Sequence, residues 1–453
     1  MTPISRRRLL GYAAGSVGNG VFSAVPGLLL LYYLTDVLGV SAALAGLLIV
    51  VPKAWDVLFN PIVGAASDRE AVRTGRRTRI MAIGAIALPA TFAVMFAAPS
   101  GLRSAAAAGW VALAFLLSAS AYACFQVPYM ALPAEISESP DQRGRAMAWR
   151  IVFVTFGILV AGGLAPAIVD AFGKGRTGYA VMGASIGVLL AIVMIGSTLA
   201  TRWIPSRPGP TPLTLPAALR AARGNKPFFA LVGAFAAQSM ATAVMLAGAP
   251  YLATYRLHDY GLTSIMFVCI VAPSAIAVPI WRKLALRHGT IPCYLGSVIL
   301  FAAAAAALYP SADAGSVAAS LACSAVLGLA YAGIQLLPQS LLPETVHADA
   351  GRTGQAQAGA FTGLWTAAET GSLALGPGIY AVILALSAFK SSAFNTPAPE
   401  TSRALTGLCL GTTLIPALLM VASIPFLLSY RRAAATHRRG TDFTRNTGET
   451  VAS

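Results

Sequence analysis

Two charged side chains and one amide lie on the same face of a long apolar helix. Lys53, Asp56 and Asn60 fall at positions i, i+3 and i+7 of a run that is otherwise apolar from Ala42 to Ala66. A charge in hydrocarbon is costly, so these side chains are expected to face the interior of a helix bundle and to bind a solute or an ion there. The alternative is that Lys53 extends to the membrane surface and that Asp56 only pairs with it.

Arg150 and Glu369 are the other charged residues well inside apolar runs. Together with Lys53 and Asp56 they sum to zero charge, as a shared polar cavity demands. A carboxylate in such a cavity can bind and release a proton, so Asp56 and Glu369 are candidate proton carriers. The alternative for Glu369 is a static ion pair with Lys53 or Arg150.

Five uncharged residues in the same runs are candidate pocket liners, although each residue type more commonly serves packing: Asn19, Gln126, Tyr129, Gln335 and Trp365. The predicted substrate-binding set is Asn19, Lys53, Tyr129, Arg150, Gln335 and Trp365. The predicted set for cation or proton coupling is Asp56, Asn60, Gln126 and Glu369.

The segment after this helix combines small residues, an acid and several bases, from Gly64 through Asp68-Arg69 to Gly75-Arg76-Arg77. An acid at a helix end can hold a basic residue or a helix N-terminus in one conformation and release it in another. We interpret the segment as a cytoplasmic gating loop formed by Gly64, Asp68, Arg69, Arg76 and Arg77. A solvated basic loop that only sets membrane topology is the alternative, and both can hold.

The elements that carry these residues are membrane-spanning helices. Of the 453 residues, 57% are hydrophobic and only 11% are charged, and the mean hydropathy is +0.71. A soluble domain does not need so much apolar surface. The apolar runs divide into about twelve segments of roughly 20 to 30 residues, long enough to cross a bilayer as helices. The predicted fold is therefore all-α, an integral membrane protein with twelve transmembrane helices.

The net charge of +16 reflects membrane topology. Most of the basic residues fall in segments that twelve spans would place on one side, including Arg6 to Arg8, Arg202 to Lys226 and Arg431 to Arg445. Such a bias marks the cytoplasmic side. It predicts a multi-pass protein of the bacterial inner membrane with both termini in the cytoplasm. The spans leave no soluble domain that could bind nucleic acid. Membrane lipids are therefore the expected partners besides the solute and the cation.

The chain divides into two similar halves. A similar motif occurs in each half: Leu132-Pro133 followed by Arg143-Gly144, and Leu342-Pro343 followed by Arg352-Thr-Gly354. This repeated motif and a long basic, proline-rich loop indicate two repeats. The predicted divisions are 1–203 and 227–430 as six-helix halves, 204–226 as the cytoplasmic central loop and 431–453 as a polar cytoplasmic tail.

Enzyme chemistry is not indicated. The sequence holds no phosphate-binding loop, no nucleophile elbow and no zinc-protease motif. Asp56 with Glu369 could imitate an aspartyl dyad, but no accompanying motif supports it. The five cysteines lack paired spacing and the four histidines form no metal motif. We predict no cofactor and no metal site.

Four stretches resemble the glycoside-pentoside-hexuronide:cation symporter family of the major facilitator superfamily: Tyr33-Leu-Thr-Asp36-Val-Leu-Gly-Val, Trp55-Asp56-Val-Leu-Phe-Asn60-Pro-Ile-Val-Gly, Val127-Pro-Tyr129-Met-Ala-Leu-Pro133, and Leu342-Pro-Glu through Arg352-Thr-Gly. The resemblance implies the facilitator fold and cation-coupled solute transport, carbohydrate transport included.

The resemblance also implies roles for single positions. The family's cation site uses two aspartates on span two and an acid on span four, which match Asp56, Asn60 and Gln126. Its sugar-binding aspartate matches Gly20, its span-five arginine is kept as Arg150, and its span-eleven lysine matches Glu369. Because anionic charges are lost at the cation site, the coupling ion is expected to be H⁺ rather than Na⁺.

The predicted function is symport of a small polar solute with a cation, by alternating access in a monomer. Three alternatives stay open: a Na⁺-coupled sugar or glycoside symporter, a lysolipid carrier with an apolar groove beside Arg150, and a membrane sensor that transports nothing.

Overall fold

The structure, a computed structural model, consists of helices joined by short turns. It describes residues 6–136, 140–205, 219–220, 222–353, 358–390 and 401–449. Among these residues, twelve helical segments are long and apolar enough to cross a membrane, which confirms the predicted fold class. The helices are α1 (Arg6–Val25), α2 (Ala42–Thr74), α3 (Thr78–Phe96), α4 (Ser104–Ile136), α5 (Pro140–Ala171), α6 (Arg176–Ala200), α7 (Lys226–Tyr255), α8 (Leu262–His288), α9 (Thr290–Asp313), α10 (Val317–Thr353), α11 (Ala358–Leu386), α12 (Ser402–Thr412) and α13 (Leu414–Glu449). The last two helices together form the twelfth span.

The segment after the second span is mostly helix, so the prediction of a loop beginning at Gly64 is wrong. α2 continues to Thr74 and ends at Gly75, which adopts a left-handed conformation with φ of 67°. Only a residue without a β-carbon takes this conformation at little cost, and it closes the last turn through a bond from the Gly75 amide to the Ala71 carbonyl. Asp68 and Arg69 therefore lie on a helix surface.

The first span changes its winding near its middle. α1 is followed by two wide turns of π-helix, Pro26–Leu30 and Tyr33–Val37. Pro26 has no amide hydrogen to donate, so the regular ladder is interrupted there. Nearly every residue of this span is buried. The first span is therefore a central element, against which other helices pack.

The helices expose many large apolar side chains, such as Leu58, Ile62, Ile83 and Leu286. Apolar surface on this scale is unfavourable in water and matches the hydrocarbon of a bilayer. The chain is a multi-pass membrane protein.

The chain folds into two compact units. Unit 1 comprises Met1–Pro210, Leu246–Val268 and Pro377–Thr412, and unit 2 comprises Thr211–Met245, Cys269–Gly376 and Thr413–Ser453. In unit 1, α1 packs on α5 and α6, and α3 packs on α4 and α6. In unit 2, α9 packs on α10 and α13. The predicted divisions at residues 203 and 226 stay a prediction.

Candidate functional site

Unit 1 carries a group of polar and aromatic side chains inside its bundle, which we call the polar cluster. Ring contacts and charge interactions join residues of four helices: Tyr12 and Phe22 on α1, Lys53 and Asp56 on α2, Tyr122 on α4, and Arg150 on α5. Asn19 and Gln126 are included because their spacing places them on the same helix faces as Phe22 and Tyr122. α2 and α4 meet at this level, since the Trp55 indole donates to the Ser120 hydroxyl over 2.9 Å.

Several buried polar atoms of the polar cluster have no hydrogen-bond partner among the described residues. They are both amide atoms of Asn19, Oδ1 of Asp56, Oε1 of Gln126 and Nε of Arg150. Asn19 is only 4% exposed and Asp56 only 6%. Leaving one such atom unsatisfied costs about 1–3 kcal/mol. A site that tolerates several of them together is suited to a ligand or water that completes their bonds.

Tyr122 interacts with two charges of opposite sign in the polar cluster. The charges of Asp56 and Arg150 both act on its hydroxyl. The Lys53 charge acts in turn on Asp56, and the Lys53 ammonium lies over the Phe22 ring, 5.8 Å from its centroid. Such a cation over an aromatic face is held without a salt bridge. The two charged residues that the sequence singled out on α2 therefore belong to one site with Arg150.

The contact between α1 and α5 fixes the cluster's geometry. A β-carbon at Gly20 would overlap the backbone of Val154 on α5, and one at Gly157 would overlap the backbone of Val17 on α1. The two backbones are therefore in direct contact, as small residues permit in membrane helices. Position 20, which the family resemblance matches to a sugar-binding aspartate, is a helix contact and faces no cavity.

Tyr129 serves the packing of α4 on α1. It is fully buried, and its ring stacks on Tyr12 with centroids 4.8 Å apart. Its hydroxyl donates to the Tyr12 carbonyl over 2.8 Å and lies 2.5 Å from the Ser16 hydroxyl. Its hydrogen-bonding capacity is used within the bundle, so its predicted role as a substrate ligand gains no support.

Asn60, one turn from Asp56 on α2, is exposed, whereas Asp56 is buried. Gln126 is half-buried and has an unpartnered oxygen. The three residues that the family resemblance places at a cation site thus differ in their surroundings, and Asp56 is the only carboxylate among these three.

The remaining predicted site residues lie in unit 2. Gln335 donates to the Tyr331 hydroxyl over 2.6 Å, and the Glu369 charge acts on the same hydroxyl. Trp365 is buried and stacks on Phe235 with centroids 4.3 Å apart. Unit 2 therefore brings Glu369 and Gln335 to one tyrosine, while Trp365 is part of the helix packing.

Arg77 ties three helix ends of unit 1 together, in a group that we call the arginine clamp. Its Nε donates to Glu135 over 2.9 Å at the end of α4. Its Nη1 donates to the Ser67 hydroxyl over 3.1 Å and to the Asp68 carboxylate, both on α2. Burial of the guanidinium disfavours its charge, but the bonds to Glu135 and Asp68 outweigh burial and raise the pKa of Arg77. In the predicted gating set, Asp68 and Arg77 thus form a pair.

The other three members of that set make no comparable contact among the described residues. Arg69 and Arg76 are exposed, and Gly64 is half-buried beside Val127. The neighbouring Glu70, which the sequence did not single out, accepts the backbone amides of Arg79 over 2.7 Å and Ile80 over 3.0 Å. A carboxylate there accepts bonds from the free amides at the start of α3, and its negative charge interacts favourably with the positive end of the helix dipole.

The far end of the first span joins residues 251–260 in a second hydrogen-bonded group, which we call the tyrosine cluster. Asp36 is 1% exposed and accepts bonds from Tyr255 and, over 2.5 Å, from Thr35. The Thr35 hydroxyl also lies 2.6 Å from that of Tyr251. All these residues belong to unit 1.

Two further tyrosine contacts enlarge the tyrosine cluster. Tyr32 donates to Thr254 over 3.2 Å, and the hydroxyls of Tyr179 and Tyr260 are 3.1 Å apart. Burial raises the pKa of Tyr260. The cluster holds the first span against the end of α7 by several bonds at once, and it joins α6 to the turn before α8 through Tyr179 and Tyr260.

Sequence reasoning missed the aromatic members of the polar cluster and the anchors of the two other groups: Tyr12, Phe22, Tyr122, Glu70, Glu135, Tyr251 and Tyr255. One signal was available for Tyr122, since it precedes Gln126 by four residues and so shares its helix face. Among the described residues no group of His, Cys, Asp and Glu is arranged to hold a metal ion.

Comparison with known proteins assigns the family. A family model described as MFS/sugar transport protein matches residues 11–431. The chain belongs to this family. The cation symporters that the sequence resembles are its relatives, among them the putative glycoside/cation symporter YagG of Escherichia coli (strain K12), 29% identical over 204 residues. That match spans 44% of each protein, so the chain covers less than half of this relative's length.

A second relative and a solved structure extend the comparison. The sodium-dependent lysophosphatidylcholine symporter 1 of Mus musculus is 26% identical over 74% of the chain and 69% of its own length. The inward-facing, occupied structure of a bacterial homologue of the human lysosomal transporter Spinster matches with a TM-score of 0.66, at 16% identity over 96% of each chain. The fold is that of the major facilitator superfamily, and the chain is a member of a secondary transporter family.

Proposed function

We propose that the chain is a symporter that carries a small polar solute together with H⁺ by alternating access. The polar cluster carries the proposal, because buried polar atoms without partners are retained where a ligand completes them. In this proposal, Arg150, Lys53 and Asn19 bind solute, and Asp56 and Glu369 respond to the proton. The protein works as a monomer in the bacterial inner membrane, with both termini in the cytoplasm.

The composition of the polar cluster favours H⁺ over Na⁺. A hard metal cation needs several oxygen ligands, and anionic ones hold it best. Asp56 is the one carboxylate of the cluster, and Lys53 on the same helix competes with a cation for it. A single buried carboxylate is sufficient to bind and release a proton.

Alternating access requires bonds that hold one end of the bundle closed and break when it opens. Two groups of bonds in unit 1 support this part of the proposal: the arginine clamp at Arg77 and the tyrosine cluster at Asp36. The basic residues beside Arg77 favour the cytoplasmic side for the clamp.

The test measures proton movement, so it needs no labelled substrate. Purified protein is reconstituted into liposomes that contain the pH dye pyranine. Hexoses, hexuronates, pentosides and lysophosphatidylcholine are then added in turn outside. Symport with H⁺ acidifies the interior when a transported solute is added. Asp56→Asn and Glu369→Gln are each expected to abolish this acidification and accumulation against a gradient.

Two controls decide between the alternatives. A Na⁺ gradient at constant pH drives uptake only in a Na⁺-coupled symporter, so Na⁺-driven uptake without acidification contradicts H⁺ coupling. Concentrative uptake that persists in both variants contradicts the roles of Asp56 and Glu369. A protein that moves none of the four solute classes under either gradient is not the proposed transporter, as expected for a sensor.

The lysolipid alternative predicts an apolar groove beside Arg150. One apolar groove of about 430 Å³ is lined by residues of α9 and α13 in unit 2, so it does not correspond to that prediction, since Arg150 belongs to unit 1. The relation to the mouse lysophosphatidylcholine symporter keeps this lipid in the solute panel.

A further inference from the structure

The start of α1 and the end of α6 lie side by side in unit 1. A β-carbon at Gly11 would come within 2.6 Å of the β-carbon of Ala200, so the two helices touch there. The basic residues that begin α1 and that follow α6 therefore lie at the same end of the two helices, and all are exposed: Arg6, Arg7, Arg8 and Arg202. Residues 1–35 and 171–258, which carry these arginines, contain no acidic residue.

Arg8 is held on an aromatic ring that belongs to the end of α6. Its guanidinium lies over the Trp203 indole, 4.6 Å from the ring centroid. A guanidinium stacked in this way keeps its N–H groups available for the paired oxygens of a phosphate. Neither Arg8 nor Arg202 forms a salt bridge in the described part of the chain. Nε1 of Trp203 is also a donor without an acceptor among these residues.

An apolar stripe on α6 runs along the helix toward this basic end. Its side chains are 36% to 66% exposed and recur at intervals of four, three and four residues, which places them on one face: Val188, Ile192, Ile195 and Leu199. Since α6 spans the membrane, this face contacts acyl chains. Trp203 follows Leu199 by four residues, and tryptophan is typical of the headgroup level of a bilayer.

A phospholipid with a net negative charge matches both features. Its phosphate oxygens fit the guanidinium donors, and its acyl chain fits the stripe. A zwitterionic lipid carries a cation beside its phosphate, which the neighbouring arginines repel. A soluble phosphate would leave the stripe unused. In the proposed topology this end faces the cytoplasm, where the anionic lipids of the leaflet attract basic residues.

We propose that the paired ends of α1 and α6 bind an anionic phospholipid, with Arg8 and Arg202 on its phosphate, Trp203 at the headgroup level and an acyl chain along the α6 stripe. This lipid is bound and not transported, so the inference goes beyond the proposed function and does not depend on the solute. Because Arg8 lies at the start of the first span, the bound lipid fixes one end of the central element of unit 1.

Quenching of Trp203 fluorescence by brominated lipids tests the site. Five of the six tryptophans are replaced by phenylalanine in the full-length protein, so that only Trp203 remains. The protein is reconstituted into vesicles of phosphatidylglycerol and phosphatidylcholine, and one of the two lipids is brominated near the glycerol end of its acyl chains. Phosphatidylglycerol is expected to reach half-maximal quenching at a mole fraction lower by about 5-fold or more. Equal quenching by the two lipids overturns the proposal.

Variants of the two arginines assign the headgroup to its partners. Arg8→Gln and Arg202→Gln are each expected to reduce the preference for phosphatidylglycerol by about 5-fold, the contribution of one basic residue beside an anionic membrane. Arg287→Gln removes the same charge at an exposed position of α8 in unit 2 and is expected to leave the preference unchanged. Full preference in the protein that carries both Arg8→Gln and Arg202→Gln overturns the assignment. An equal loss in Arg287→Gln also overturns it, because the net charge of the protein would then be the cause.

Two further measurements complete the test. If the protein with one tryptophan does not fold, thermal unfolding of the unaltered chain in detergent decides. Added phosphatidylglycerol should raise its Tm more than phosphatidylcholine does, and this difference should be lost when both arginines are replaced; equal shifts in the two proteins overturn the proposal. Inorganic phosphate that removes the lipid preference, where chloride at equal ionic strength does not, identifies a soluble phosphate as the ligand and overturns the lipid assignment. None of these measurements requires transport, so their failure leaves the proposed function standing.

Discussion

The tyrosine cluster offers the sharpest test of alternating access, through the substitution Tyr255→Phe. The Tyr255 hydroxyl donates to Asp36, and its ring packs on Phe389 with centroids 5.4 Å apart. Phenylalanine keeps the ring contact and removes only the hydroxyl. If the tyrosine cluster holds one end of unit 1 closed, the substitution shifts the population toward the open state.

The size of the shift follows from the bond that is lost. A hydrogen bond to a charged group contributes about 1.5–3 kcal/mol. If the bond exists only in the closed state, its loss raises the ratio of open to closed protein by about 10-fold to 150-fold. The effect is therefore large enough to detect without knowledge of the substrate.

Cysteine labelling measures this ratio. Ala253, fully buried and two residues before Tyr255, is changed to cysteine in a background where the five native cysteines, all free in the structure, are replaced. The rate of reaction with a membrane-impermeant maleimide reports opening of the tyrosine cluster. Vesicles of both orientations identify the side from which the reagent arrives. Labelling is expected to accelerate by about the factor given above for Tyr255→Phe.

Tyr294→Phe is the matched control. Tyr294 is also buried and donates to Gln238 over 2.7 Å, but it belongs to unit 2. It should leave labelling at position 253 unchanged. An unchanged rate in Tyr255→Phe, or equal acceleration in both variants, refutes a latch at Asp36 and leaves only a structural role.

Two further substitutions probe the packing that positions the site, each by thermal unfolding in detergent. Gly20→Ala places a methyl group into the backbone of the facing helix and should lower the free energy of unfolding by about 1–3 kcal/mol. Gly196→Ala, with open space around it, should not. Equal effects of the two substitutions would contradict the backbone contact. Arg77→Gln removes the charge that bonds both Glu135 and Asp68 and should cost about 3–5 kcal/mol. Arg76→Gln, at an exposed side chain, should be close to neutral, and a similar loss in both variants would show that the arginine clamp is not the cause.

The spans were predictable because hydropathy is a property of local sequence. Twelve apolar runs correspond to twelve membrane-spanning segments in the described part of the chain, and the i, i+3 spacing of Lys53 and Asp56 placed both in the polar cluster. The end of α2 was missed because Asp68 to Thr74 is polar enough to look like a loop. The chain instead continues as helix until Gly75 supplies a left-handed residue.

The partners within the site were not predictable, because they are brought together by helix packing. Glu135 lies 58 positions from Arg77, and Tyr255 lies 219 positions from Asp36. Nothing in the spacing of such residues reveals their contact. The distinction between Tyr129, which pins α4 to α1, and Tyr122, which faces the charges, likewise depends on tertiary structure alone.

The close approach of α1 and α5 limits how this protein can acquire a new specificity. Any side chain at position 20 collides with the main chain of α5, which cannot rotate away as a side chain can. A single codon change to aspartate at Gly20 would therefore displace a helix before it offered a carboxylate to a solute. Divergence toward sugars that such a carboxylate would bind must first loosen the Gly20–Gly157 crossing, or must proceed through Asn19, which already carries a side chain at the adjacent position.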